Sequence, residues 1–402
     1  MNKEALLEHF NELKSKGLNI DATRGRPCKE QLDLSLDMFD ALNSKSEFIY
    51  ENLDIRNYGK MDGLDCCKEL VGEIVGMPKE NVIVYGNSSL NIMYDIISKS
   101  VNFGVLDNPK WSDKKVKWLC IVPGYDRHFA ITERFGFEMI NIPMNSDGPD
   151  MDLIEKYIQD PEVKGIWCVP KFSNPDGVTY SDEIVRRFAK LKPAAKDFRV
   201  YWDNAYCVHD FDFENPKKLL NIFDEAKKNG TENMFYEFVS FSKISFGGGG
   251  IAALVTSLDN IADIKKGLTI QTIGYDKLNQ VRHVLYFKNK DGVISMMKKH
   301  AQIMKPKFDF INNYFEKEIK DIAQWVKPFG GYFICLKVNN CAKEVIARCA
   351  DCGVKLTPAG CCTPYHIDKE NTYIRIAPST LRMCDLEVFA DVVSTAIKIE
   401  TK

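Results

Sequence analysis

Between Asn81 and Ser257 the sequence alternates between two kinds of segment. Short, mostly apolar runs ("NVIVYG", "KWLCIVPG", "EMINIPM", "GIWCVPKF", "FRVYWDN", "MFYEFVSFS", "IAALVTS") are separated in several places by segments with apolar residues at helical spacing ("SLNIMYDIISKSV", "HFAITERFG", "MDLIEKYIQ", "SDEIVRRFAKL"). A strand that is apolar on both sides has to be covered on both faces. An intervening helix provides that cover and returns the chain so that the next strand runs parallel. The alternation therefore predicts an α/β fold: a mainly parallel seven-stranded sheet flanked by helices.

The pattern changes after residue 290. A long amphipathic segment ("DGVISMMKKHAQIMKPKFDFINNYFEKEI") precedes strands "GGYFICLKV", "VKLTPAG" and "TYIRIAPS" and helices "AKEVIARCADCG" and "DLEVFADVVSTAIKIE". This reads as a smaller α+β domain. The expected organisation is an N-terminal helix and arm (1–45) packing on the small domain, a large domain (46–290) and the small domain (291–402).

The 402 residues suffice for a large core, and a formal net charge of −2 lacks the footprint of a nucleic-acid binder. Most of the thirteen cysteines stand singly in apolar runs, which points to a reducing cytoplasm rather than a disulfide scaffold. The lone CxxC, Cys349 to Cys352, has no second pair at zinc spacing and reads as a helix end with Gly353 as its stop; no metal site is expected. The first residues lack the apolar core of a signal peptide, and no stretch is long enough to span a membrane.

In an open α/β sheet, ligands bind beyond the carboxyl ends of the strands, and the polar residues gather there. "VIVYGNSSLNIM" places Ser88 and Ser89 where a helix begins, either as a phosphate site or as a plain N-cap. Tyr125 and His128 follow the next strand. Asn174 opens the turn "NPDG". Asp203 ends an apolar strand, with Tyr206 three residues on. Lys243 sits between serines and four glycines in "SFSKISFGGGG", and Arg375 lies inside an apolar strand, where it suits a carboxylate or an internal ion pair. Each feature has a structural reading when taken alone. One cofactor uses all of them in this order: pyridoxal 5′-phosphate, with its phosphate, pyridine nitrogen, phenolate oxygen and amine-seeking aldehyde.

The order resembles fold type I pyridoxal-phosphate enzymes of the aspartate aminotransferase superfamily. The wording "RGRP", "YGNSSLNIM", "PGYDRHF", "SNPDG", "SKISFGGGG" and "QTIGYDKLNQVRH" is most similar to the MocR-like aspartate aminotransferase subgroup. The resemblance implies that Lys243 forms the internal aldimine and moves the proton at Cα. It implies that Asp203, supported by His128, pairs with the pyridine nitrogen, that Asn174 and Tyr206 hold the phenolate oxygen, and that Tyr125 stacks on the ring. Ser88, Ser89 and Ser240, with Ser242 or Ser245, would bind the phosphate. Tyr58 would reach the phosphate of a neighbouring subunit, so a homodimer with shared sites is implied. Arg375 would grip the substrate α-carboxylate and Gly25 close over it. Arg24 and Arg26, then Lys277 and Arg282, are the candidates for a second carboxylate.

The implied activity is ping-pong transfer of an amino group between an amino acid (aspartate or glutamate foremost) and a 2-oxo acid. A β-lyase, a decarboxylase or a non-catalytic amino-acid sensor on the same scaffold stays open. Two departures stand out. Many relatives carry a phosphate-binding arginine where this chain has Ile251, which leaves the phosphate's counter-charge unassigned. The residues before Asn57 read as one helix and an arm rather than the winged helix of MocR regulators, so neither nucleic acid nor membrane is an expected partner.

Overall fold

A computed structural model of the protein describes residues 2–402. The central sheet contains β1 (Val82–Val84), β2 (Lys117–Val122), β3 (Glu138–Asn145), β4 (Gly148–Pro149), β5 (Val163–Cys168), β6 (Arg199–Asp203), β7 (Phe235–Ser240) and β8 (Ala252–Thr256), in the spatial order β1-β8-β7-β6-β5-β2-β3-β4. Only β8 and the two-residue β4 run antiparallel to their neighbours. The seven strands expected from the sequence are all present, with β4 added at one edge.

Burial explains why these strands carry no alternating pattern. β1, β5, β6, β7 and β8 are buried at every position. One face packs into a core that includes Leu119, Ile166, Val200 and Val239; the other holds Trp118, Trp167, Tyr201 and Phe238. On that second face the Trp118 ring lies 5.3 Å from Trp167 and 5.1 Å from Tyr201, centroid to centroid. It also lies over Gly165, its partner across β2 and β5, where a Cβ would come within 2.4 Å of the indole. The glycine is thus required by the tryptophan.

A third core joins the two ends of the chain. Helix α1 (Lys3–Ser15) is capped by the Asn2 side chain, which accepts from the Ala5 N–H at 2.9 Å. It buries Leu6, Phe10 and Leu13 in the same cluster as Phe389, Val393 and Ile397 near the C-terminus. Between lies an antiparallel pair of strands, β9 (Ile334–Lys337) and β10 (Tyr373–Ile376), in which Arg375 faces Cys335. The long helix Lys290–Glu318 serves two cores: Val293, Met296 and Met297 pack with the sheet, and Met304, Phe308, Ile311 and Phe315 with the chain ends. All thirteen cysteines are free thiols, and among the described residues no helix is long and apolar enough to cross a membrane. Cys352 caps the helix Ala342–Asp351, and Gly353 follows at φ +80°, as a helix stop requires.

Adding a methyl group at the contact under Trp118 tests this packing. Gly165→Ala is expected to lower stability by about 1–3 kcal/mol, the usual cost of overpacking. Urea denaturation measures it, and an unchanged midpoint would contradict the tight contact.

Candidate active site

Six of the seven main strands are parallel, so their carboxyl ends open on one edge of the sheet. A cavity of about 670 Å³ lies there. It is lined by Ser88 and Ser89 beyond β1, Tyr125 beyond β2, Asn174 beyond β5, Asp203 and Tyr206 beyond β6, and Ser240, Ser242 and Lys243 beyond β7. Arg24, Gly25 and Arg26 of the N-terminal arm and Arg375 of β10 complete it from the other side.

Asp203 is buried at the end of β6. Its Oδ2 lies 3.1 Å from Nε2 of His128, which is buried behind it and stacked on Trp167 at 4.4 Å. The other oxygen, Oδ1, is buried with no protein partner. Asn174 Oδ1 is in the same condition. An unpartnered buried acceptor carries a desolvation cost and calls for a donor. Burial raises the Tyr125 phenol to about 12 and lifts the Tyr206 phenol well above its ordinary value, so both stay protonated donors.

Lys243 follows the last residues of β7. Burial pushes its amine below the ordinary lysine pKa, and the Asp203 charge partly opposes the shift. Its Nζ lies 5.1 Å from the Tyr206 ring centroid. A desolvated amine that loses its proton more easily is the form that attacks carbonyl carbon.

The opposite wall begins at helix α2 (Ser89–Phe103). Ser88 occupies its N-cap position but makes no side-chain cap bond, which leaves its hydroxyl and the first-turn amides available. Ser240 Oγ lies 2.7 Å from Ser242 Oγ. Hydroxyls and helix amides together suit an anion.

Five of the expected residues do not line the cavity. His128 touches Asp203 rather than the cavity. Ser245, expected as a phosphate ligand, is fully buried outside the cavity lining; its hydroxyl lies 3.2 Å from the Phe241 carbonyl and 2.9 Å from His283 Nε2. Tyr58 is 71% exposed and outside this chain's cavity. Lys277 donates to the Gly59 carbonyl at 3.1 Å, and Arg282 donates to Asn279 Oδ1 beside the glycine run; neither lines the cavity. Ile251 is buried.

The cavity also holds residues the sequence reading missed: Asp126, Arg127, Thr357 and Phe333. Asp126 and Arg127 sit between Tyr125 and His128, within a motif already singled out, and their charge was the available signal. Arg375, 7% exposed, donates from Nη1 to Asp126 Oδ1 at 3.0 Å and from Nε to Thr357 Oγ1 at 3.3 Å. Its guanidinium lies 5.2 Å over the Phe333 ring. Gly25 presses on the same ring, where a Cβ would come within 2.3 Å. Arg24, Arg26 and Arg127 have no ion-pair partner among the described residues.

Known proteins share this organisation along the whole chain. The profile of the family described as aspartate amino-transferase matches residues 2–402. A relative named aspartate aminotransferase, from Corynebacterium glutamicum, is 43% identical over 400 residues, which is 98% of this chain and 92% of that protein. A crystal structure of an aspartate transaminase from the same species superposes with a TM-score of 0.96 at 42% identity, covering 99% of this chain and 95% of that one. The link to regulators is weaker: a helix-turn-helix transcriptional regulator of Staphylococcus aureus is 25% identical over 53% of this chain and 46% of its own. With the strand-end cavity, its lysine and its aspartate in the positions described, the chain belongs to the aspartate aminotransferase family.

Proposed function

We propose that this protein is a pyridoxal-phosphate-dependent aminotransferase that passes the amino group of aspartate or glutamate to a 2-oxo acid in a ping-pong cycle. The observation that carries this reading is the convergence of Lys243, the unpartnered Asp203 Oδ1 and Arg375 on one cavity.

The residues fit the cofactor. Asp203 Oδ1 lacks a donor, and a protonated pyridine nitrogen is one. The Asn174 amide and Tyr206 hydroxyl are free to meet the phenolate oxygen, Tyr125 to cover the ring, and Ser88, Ser89, Ser240 and Ser242 with the α2 amides to take the phosphate. When bound, the cofactor supplies an aldehyde and an electron-accepting ring that delocalises the charge left at the substrate Cα.

The side chains supply the rest. Lys243 offers an amine that gives up its proton more readily than an ordinary lysine and, once the substrate amine has replaced it, takes the proton from Cα and returns it. Asp203 keeps negative charge at the ring nitrogen, and His128 fixes its other oxygen. Arg375 takes the α-carboxylate with its remaining donors. The unpaired Arg24, Arg26 and Arg127 give a side-chain carboxylate a cationic wall, which favours an acidic substrate. Gly25 lets the N-terminal arm lie directly on Phe333, keeping water from that side.

The division of labour we propose assigns cofactor binding to 46–290 and carboxylate binding to 291–402, with 1–45 packing on the latter. Exposed Tyr58 is proposed to reach a second subunit's phosphate site in a homodimer.

The deciding measurement is the half-reaction of the cofactor-loaded protein with single amino acids, followed by visible absorbance. Aspartate or glutamate should convert the cofactor to its amine form. Release of carbon dioxide, or of pyruvate with ammonia, would favour a decarboxylase or lyase, and spectral change without turnover a sensor. Lys243→Ala should lose the covalent linkage signal, with turnover reduced by at least ~10²–10⁴-fold.

A second test needs no cofactor. The Lys243 pKa is lower folded than unfolded, so below the folded value the buried ammonium costs stability, and that cost fades as pH rises toward the ordinary value of 10.5. In thermal melts of the apo-protein, Lys243→Met should stabilise most at neutral pH, with an advantage that shrinks as pH approaches that value. A difference independent of pH would contradict the shifted pKa.

A further inference from the structure

We propose that Asp126 is an anionic placeholder for the substrate carboxylate: it holds Arg375 in the empty site and opposes carboxylate binding there, setting KM for both substrates. This rests on the reading of Arg375 as the carboxylate-binding residue.

The guanidinium is fixed on several sides. Its Nε donates to Thr357 Oγ1 at 3.3 Å, while that hydroxyl donates to the Thr23 carbonyl at 2.9 Å. The Phe333 ring lies against its face at 5.2 Å. Nη1 donates to Asp126 Oδ1 at 3.0 Å. The Nη2 donors have no protein partner among the described residues, so the arginine keeps an open edge beside an occupied one.

Asp126 is held as firmly. It is the first residue of helix α3 (Asp126–Arg134), where the helix dipole favours a negative charge. Two residues earlier the Gly124 N–H donates to the Cys362 carbonyl at 2.9 Å, which ties this turn to the loop preceding β10. The side chain is 28% exposed against 7% for Arg375 and lines the cavity, so an incoming carboxylate meets it there.

A guanidinium grips a carboxylate through its Nε–Nη2 side or its Nη1–Nη2 end, and with Nε already donating to Thr357 the end is the edge left for a bidentate grip. An incoming carboxylate must then share Nη1 with Asp126 or displace it, and in either case two negative charges come close. Both substrates of the proposed cycle carry the same carboxylate, so both bear the same penalty. The arrangement gives a resident carboxylate that keeps the arginine in place between turnovers and weakens the hold on product. Asp126 acts through Arg375 and is a positioning residue.

Asp126→Asn separates charge from geometry, because the amide oxygen still accepts from Nη1. Succinate, a dicarboxylate that cannot transaminate, should bind Asp126→Asn about two- to fivefold more tightly in calorimetric titration, the effect of one partly exposed charge. KM for the amino acid and for the 2-oxo acid should fall together, with kcat no higher than in the wild type. Asp126→Ala carries the same expectation for succinate if the asparagine variant does not fold. Unchanged or weaker succinate binding, or a KM that falls for one substrate alone, would overturn the proposal. Failure of the functional reading would look different: the wild type itself would not transaminate aspartate or glutamate.

Discussion

A carboxylate at the end of a buried strand is the constraint around which the rest of the site is arranged. Asp203 closes β6, a strand with no exposed residue, and its charge cannot be left to water. One oxygen meets His128; the ring of His128 is held flat against Trp167, and Trp167 belongs to the aromatic layer in which Trp118 covers Gly165. The packing of one sheet face and the electrostatics of the site are therefore continuous. The second oxygen is a buried acceptor with no protein donor, which suits a ligand that brings one.

Much of the fold was legible because parallel strands leave a signature that needs no tertiary knowledge. β5, β6 and β7 are buried throughout and appear in the sequence as unbroken apolar runs. Two helices with an internal glycine were not read. Asp65–Val75 contains Gly72, whose missing side chain lets the Met77 carbonyl approach, and Leu258–Gln271 mixes Gly267 with β-branched residues. Both obtain their stability from packing that the local sequence does not reveal.

The site divides in the same way. Residues at strand ends could be read because strand direction alone brings them together: Ser88, Tyr125, Asn174, Asp203, Ser240 and Lys243 line one cavity. Residues contributed by the opposite side were harder. Phe333 and Thr357 carry no charge and lie in unremarkable stretches, and their importance comes from Arg375, which stands distant from Thr357 in neither chain nor space but is oriented by it. Ser245 shows the opposite failure. It is only two residues beyond Lys243, yet the backbone turn closed by its N–H on the Phe241 carbonyl at 2.9 Å leaves its hydroxyl beside His283. Proximity in sequence to a functional residue says little where the backbone is turning.

The glycine run after Lys243 raises a separate physical question, because the resemblance to the superfamily leads one to expect a phosphate-binding arginine where this chain has Ile251. Ile251 is buried, and its side chain belongs to the core that includes Phe241 and Ile244. A charged side chain there would have to be accommodated in that core, at a cost that a single ion pair does not reliably offset. The cavity instead presents an uncapped helix N-terminus, hydroxyls from Ser88, Ser89, Ser240 and Ser242, and arginines without ion-pair partners. Amides and hydroxyls bind a dianion without burying a permanent counter-charge, and their dipoles are already oriented by the fold. Under the proposed function, phosphate binding of this kind would leave the cavity's unpaired arginines free for a substrate carboxylate, a division of charge that an arginine at position 251 would not require.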